Sequence, residues 1–251
     1  MHHSSRWRHR ADVSVAPCTI SPVTAPFYDD GMVSLYHGDS ISLASLWADA
    51  DVMVTDPPYG IGYASNWESA SLPRSISGDD DTLARDTALH LWGDRPALVF
   101  GTWRIPRPPA TRMLLVWDTK GALGMGDLSL PWKPSHQEIY VLGTGFSGRR
   151  DSDVLCYAPV QSMAANGRVH PHQKPVSLMH DLIAKCPPGV IVDPFAGSGS
   201  TLRAAKDLGR RAIGFEVDEA YCHVAADRLR QEALVFDPPA EPEPLVLDLS
   251  A

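Results

Sequence analysis

Long apolar runs are missing from this chain. No stretch approaches the roughly eighteen uninterrupted apolar residues that cross a bilayer, and the start, Met1-His2-His3-Ser4-Ser5-Arg6-Trp7-Arg8, lacks the apolar centre of a secretory leader. Cysteine is scarce: Cys18, Cys156, Cys186 and Cys222 lie far apart with no Cys-x-x-Cys pair, so neither a zinc site nor a disulfide framework is indicated. These absences lead to the expectation of a soluble, cytoplasmic protein with reduced, mostly buried thiols and no metal. Positive charge is also short, with 22 Lys and Arg against 30 Asp and Glu and a net charge of −8. That balance counts against a nucleic-acid partner, because phosphate binding rests on Lys and Arg displacing counterions.

The distribution of charge weakens the objection. The segment from Ala233 onward holds Asp237, Glu241, Glu243 and Asp248 with no Lys or Arg, so the remainder carries only −4. Arg6, Arg8, Arg10, Arg104, Arg107, Arg149, Arg150 and Arg168 are candidates for a basic face, with ordinary solvated charge as the alternative for each. Arg outnumbers Lys and Ala is plentiful, a bias expected of a GC-rich bacterial or phage genome.

What is present suffices for one folded unit: 251 residues, 44% of them hydrophobic. Residues 1–31 mix His, Arg, Ser and Pro without periodicity and read as a flexible arm; residues 235–251 are rich in Pro and acid and read as a disordered tail. Between them, 32–234 form the expected domain. Val33 to His37 alternates like a strand, and residues 41–47 carry apolar side chains at helical spacing. Val52-Met53-Val54 is a second strand, halted by Pro57-Pro58. A Gly, Ser and Asp-rich loop at 60–81 precedes a helix with Leu83, Ala84, Ala88, Leu91 and Trp92 predicted on its buried face. Strands are expected at 97–100, 113–117, 138–142 and 154–157, then a helix from Pro175 to Cys186. The strand Val190-Ile191-Val192, a Gly-rich loop, a helix to Leu208, the strand from Ala212 to Glu216 and a last helix through Leu229 complete the chain. Such repeated alternation defines an α/β class, with a mainly parallel sheet covered by helices on both faces.

Two loops carry chemistry. Asp193-Pro194-Phe195-Ala196-Gly197-Ser198-Gly199-Ser200 joins a strand to a helix whose free N–H groups suit a negative charge, and its glycines allow the backbone to approach a ligand. It lacks the third Gly of a dinucleotide fingerprint and the Lys of a P-loop. Glu216, at a strand end, sits where an acid accepts hydrogen bonds from ribose hydroxyls, so a nucleoside ligand without a diphosphate fits best. In the other loop, Asp56-Pro57-Pro58-Tyr59, the Asp56 carboxylate and the Pro57 carbonyl provide two acceptors on a stiff backbone beside an aromatic surface. An exocyclic amino nitrogen needs both, because its lone pair is delocalised until its two N–H groups are held. Tyr59 offers a flat surface for an extruded base. Asp237-Pro238-Pro239 repeats the first three residues without the aromatic and reads as non-functional.

Together these residues resemble the β class of S-adenosylmethionine-dependent DNA amino-methyltransferases, the circularly permuted N6-adenine/N4-cytosine family with a Rossmann-like fold. Asp56-Pro57-Pro58-Tyr59 is similar to the family's catalytic motif, and the segment from Asp193 to Thr201 to its cofactor loop. His170-Pro171-His172-Gln173-Lys174-Pro175 resembles the segment lining the methionine end of the cofactor, and Tyr36-His37-Gly38-Asp39 the one that meets its adenine ring. The resemblance spans about residues 32–229. It implies catalytic roles for Asp56, Pro57, Pro58 and Tyr59, and cofactor contacts from Asp39, Gln173, Lys174, Asp193, Phe195, Ala196, Gly197, Ser198, Gly199, Thr201 and Glu216. It implies direct methyl transfer to a base flipped from duplex DNA, with Asp in the first catalytic position favouring N6 of adenine over N4 of cytosine. A permuted order places the catalytic and cofactor strands side by side at the sheet's switch point. No separate recognition domain of about a hundred residues is available, leaving loops within about 60–81 and 101–167, where Arg mixes with Trp67, Trp103, Trp132 and Phe146. RNA or protein amides as substrates, a non-catalytic binding protein, and a homodimer stay open at this level.

Overall fold

Alternation at period two organises the whole sheet. In the computed structural model, which describes residues 25–60, 81–121, 125–160 and 173–231, neighbouring residues of each central strand enter opposite cores. Val52 and Val54 enter one and Met53 the other; Leu98 and Phe100 oppose Ala97 and Val99; Ile191 opposes Val192. Strands buried on both faces have no polar register to keep, which is why they read as short apolar runs.

The strands are β1 (Tyr28–Asp29), β2 (Val33–His37), β3 (Val52–Thr55), β4 (Ala97–Gly101), β5 (Met113–Asp118), β6 (His136–Leu142), β7 (Val154–Cys156), β8 (Ile191–Asp193) and β9 (Ala212–Glu216). They form one sheet in the order β1-β2-β9-β8-β3-β4-β6-β5-β7. The run from β2 to β4 is parallel throughout, while β1 and β6 are antiparallel to their neighbours. Helices α2 (Val176–Ala184), α3 (Ser200–Asp207) and α4 (Glu219–Arg230) cover one face. The other is covered by α1 (Leu83–Trp92) and the segment around Trp47. The α/β fold with helices on both faces agrees with the sequence reading.

Four details depart from that reading. The fold starts before Met32, because β1 pairs with β2 and Phe27 N donates to Leu35 O at 2.7 Å. Residues 41–47 form only one short 3-10 turn, Ala44–Leu46; the Asp39 carboxylate ties down the N–H groups of Ile41 and Ser42, and too few residues remain for a stable helix. Pro175 caps α2 from extended backbone instead of occupying its first turn. In α1 the buried residues are Arg85, Ala88 and Trp92, whereas Leu83 and Leu91 are 67% and 45% exposed. A buried arginine at the centre of that face hides it from hydrophobic periodicity; Arg85 reaches Pro106 O at 3.0 Å and pairs with Asp86 at 2.8 Å. The arm through residue 24, residues 61–80, His170, Pro171, His172, Arg168, Trp67, Cys18 and the tail lie outside the described residues.

The corrected face of α1 is testable by chemical denaturation. Leu91→Gln is expected to change stability by no more than about 0.5 kcal/mol, as exposed substitutions do. Ala88→Leu should cost about 1–3 kcal/mol by overpacking against the sheet; the opposite ranking would restore the face read from the sequence.

Candidate functional site

β8 and β3 are parallel neighbours, with Val52 beside Ile191 and Met53 beside Val192. Their ends therefore open on the same edge of the sheet, the edge at which open α/β folds bind ligands. Thr55, the last residue of β3, donates its hydroxyl to Asp193 Oδ1 at 2.7 Å, and Phe195 N donates to the same oxygen at 3.1 Å. Asp193 is 2% exposed, and burial pushes its carboxyl up to about 6 despite hydrogen bonds from Thr201, Thr55 and Phe195. This acid clamps the two strand ends together.

The loop after β8 curls tightly. Ala196 N donates to Phe215 O at 2.8 Å and Gly199 N to Ala196 O at 2.8 Å. Gly199 sits at φ +76°, where an added Cβ would lie 2.9 Å from that of Ala225 on α4, so conformation and space both require glycine. Phe195 and Gly197 are half-buried, while Ala196, Ser198 and Thr201 are buried. Gly197 N donates to Glu216 Oε2 at 2.8 Å and Asp218 N to Oε1 at 2.9 Å, so Glu216 reaches from the end of β9 to brace the loop. Burial dominates these two hydrogen bonds and pushes the Glu216 carboxyl up to about 7.

Asp39, after β2, reaches the same edge, where Gly38 N donates to Glu216 O at 2.9 Å. Its carboxylate is spent on the turn, accepting from Ser42 Oγ at 2.7 Å and from Ile41 N and Ser42 N. Burial raises its pKa, but these bonds outweigh it and hold the group below the ordinary carboxylate value.

At the end of β3, Pro57 is buried and Asp56 and Pro58 are half-buried. Tyr59 is 7% exposed and donates its hydroxyl to Asp56 Oδ1 at 2.6 Å. The flat aromatic surface read from the sequence belongs to a largely buried side chain that leans on its own acid. The other carboxylate oxygen, Oδ2, pairs with the ammonium of Lys174. Lys174 points at the tetrapeptide, a partnership the sequence reading did not contain. Its backbone oxygen accepts from Ser200 Oγ at 2.9 Å, linking the segment to the start of α3; Gln173 beside it is half-buried. Phe100, from β4, was also missed, and the Lys174 ammonium lies 4.9 Å from its ring centre. Nothing local to Lys174 signals a partner 118 positions away.

Strand direction sorts the loops expected to meet DNA. β4, β5 and β7 end at the edge that holds Asp56, so the loop after β4, the β5–β6 connection and the chain leaving β7 start there. Trp103, Met125, Leu128, Leu130 and Trp132 on these connections are each more than half exposed. The β6–β7 connection lies at the opposite edge: a Cβ on Gly143 would meet Arg95 and Pro96, and Ser147 N donates to Lys185 O at 3.0 Å. Arg149 and Arg150 are therefore remote from Asp56, and Arg149 is paired with Asp151 at 2.6 Å. Arg107 is held by buried Glu138 at 2.7 Å.

Comparison with known proteins places this geometry among methyltransferases. A family described as DNA methylase, of N6/N4 type, matches residues 102–227, half of the chain. The type II methyltransferase M.ScaI of Streptomyces caespitosus is 27% identical over 258 aligned positions, covering 83% of this chain and 84% of that protein. Among solved structures, the cytosine-N4-specific PvuII DNA methyltransferase superposes with a TM-score of 0.64 at 17% identity, over 83% of this chain and 90% of that one. An M1.HpyAVI complex with SAM gives 0.60 at 19% identity, over 80% and 100%.

The raised carboxyls make a pH prediction. A group whose folded value exceeds its unfolded one contributes stability that is complete below the unfolded value and lost as pH rises through the folded value. For Glu216 the window runs from about 4.5 to about 7. The ligand-free protein should therefore lose melting temperature as pH rises through about 7, and Glu216→Gln should flatten that loss. Equal slopes for both proteins would show that Glu216 ionises without penalty.

Proposed function

The chain belongs to the N6/N4 family of DNA methylases, and from that premise we propose that it transfers a methyl group from S-adenosylmethionine to N6 of an adenine flipped out of duplex DNA. The carrying observation is the side-by-side placement of Asp56-Pro57-Pro58-Tyr59 and the glycine loop, closed by the Thr55–Asp193 hydrogen bond of 2.7 Å.

The residues present fit the cofactor. Glu216 is a half-buried acid at the strand end beside the loop, its oxygens accepting from two backbone N–H groups among the described residues, and a carboxylate has lone pairs left for ribose hydroxyls. Phe195, Ala196, Gly197, Ser198 and Gly199 shape the wall beside it, and Asp39 and Gln173 belong to the segments that flank it. Bound there, the cofactor supplies an electrophilic methyl on a sulfonium. The protein does the rest by placement. Asp56 and the Pro57 carbonyl accept the two amino hydrogens and turn the nitrogen lone pair towards the methyl carbon. Pro58 keeps that backbone rigid. Tyr59, whose hydroxyl already holds Asp56, supports the base against the cost of leaving the stack. No covalent bond to the enzyme forms, and the amine's proton leaves to solvent after transfer. Acid in the first position of the tetrapeptide supports adenine over cytosine.

The assignment is tested by incubating the protein with labelled cofactor and unmethylated DNA, then digesting the DNA to nucleosides. N6-methyladenine is expected; N4-methylcytosine alone would reject the adenine reading, and label confined to RNA or protein would reject DNA. Asp56→Ala should lower the methylation rate by about a hundredfold or more while cofactor affinity stays within about threefold, measured by calorimetry. A variant of unchanged rate would remove Asp56 from catalysis.

A further inference from the structure

We propose that Lys174 is a positioning residue for Asp56 and not a ligand of the cofactor's methionine end. The inference rests on the methyltransferase reading of the site and adds to it a residue that sets the catalytic acid. Lys174 is 4% exposed, and a buried ammonium costs several kcal/mol unless it is paired. Its partner is Asp56 Oδ2, while the Tyr59 hydroxyl occupies Oδ1 at 2.6 Å. Two donors, one on each oxygen, fix both the rotamer and the plane of the carboxylate. The lone pairs left over then point in set directions before any base arrives.

The lysine is itself held at both ends. Its ammonium lies 4.9 Å from the centre of the Phe100 ring and 5.9 Å from that of Tyr59, within the range of cation–π attraction. Its backbone oxygen accepts from Ser200 Oγ at 2.9 Å, and Ser200 Oγ accepts from Arg228 Nη1 at 2.7 Å. Arg228 is half-buried on α4, and Ser200 opens α3 directly after the glycine loop. The chain Arg228–Ser200–Lys174–Asp56 therefore runs from the helices that support the cofactor loop to the acid that receives the base. Asp56 thus serves as a hydrogen-bond acceptor that aims the amine, and the released proton goes to water.

The experiment compares the full chain with Lys174→Met, which nearly conserves volume and removes the charge. The expected result is a turnover number at saturating DNA and cofactor lowered by about tenfold or more, with cofactor affinity by calorimetry within about twofold. Cofactor affinity weakened by about tenfold with turnover unchanged would assign Lys174 to the cofactor and overturn the proposal. A second measurement does not need activity: NMR of the 15N-labelled lysine ammonium should show a slowly exchanging Lys174 signal that is lost in Asp56→Asn and kept when S-adenosylhomocysteine is added. A signal indifferent to Asp56→Asn overturns the proposal even in an active enzyme. If the unaltered chain methylates no DNA, the functional reading fails, and the NMR result still decides whether the ion pair exists in solution.

Discussion

The hydrogen bond between Thr55 and Asp193 carries the constraint on which the site depends. It joins residues 138 apart in sequence, at the ends of two parallel neighbours in the middle of the sheet. Each strand alone leads into a loop; side by side, they bring the Asp56 tetrapeptide and the glycine turn to one opening. Because the sheet supplies the alignment, the order in which the chain visits its strands is immaterial. Strands met along the sequence as β2, β3, β4, β8 and β9 still assemble in the order β2-β9-β8-β3-β4 around the same edge.

That edge is also where the molecule concentrates electrostatic cost. Asp193 and Glu216 are both pushed above the ordinary carboxylate range by burial. Neither acid has a salt-bridge partner among the described residues; both are held by hydroxyl and backbone donors. Neutral donors alone do not offset the desolvation of these carboxyls, so both stay above their ordinary values beside the glycine loop. Asp56 is the exception, because Lys174 balances its charge. The opening is thus divided: acids met by neutral donors beside the glycine loop, and an ion pair at the end of β3.

The legible part of the fold was the part set by local pattern. β2, β3, β4, β5 and β9 follow from alternation or from short apolar runs, and α3 ends at Asp207, one residue before the expected Leu208, with Gly209 at φ +66° just beyond. The tetrapeptide and the glycine loop were legible for the same reason, since each packs its chemistry into a few consecutive residues. What was not legible depends on the partners that side chains find in the folded chain. Arg85 is buried because Pro106 O and Asp86 satisfy it, so the face of α1 cannot be ranked by hydrophobicity alone. Tyr59 turns its hydroxyl onto Asp56, and Glu216 braces Gly197, each by side-chain geometry that spacing does not encode.

Topology also decides which surface can serve a duplex substrate, and it does so against the simplest charge argument. Counting arginines nominates Arg149 and Arg150, yet their loop leaves the sheet at the edge opposite Asp56. The connections on the correct edge carry Arg104, Arg107, Lys120 and Lys133 beside exposed apolar surface, with Leu128 79% and Trp132 78% exposed. A protein of net charge −8 gains little from long-range attraction to phosphate. Extruding a base also leaves a gap in the stack, and apolar or aromatic side chains can fill such a gap where lysines cannot. Exposed Leu128 and Trp132 stand on the same edge as Asp56 beside these basic side chains, so the net charge of −8 does not conflict with membership of a DNA methylase family.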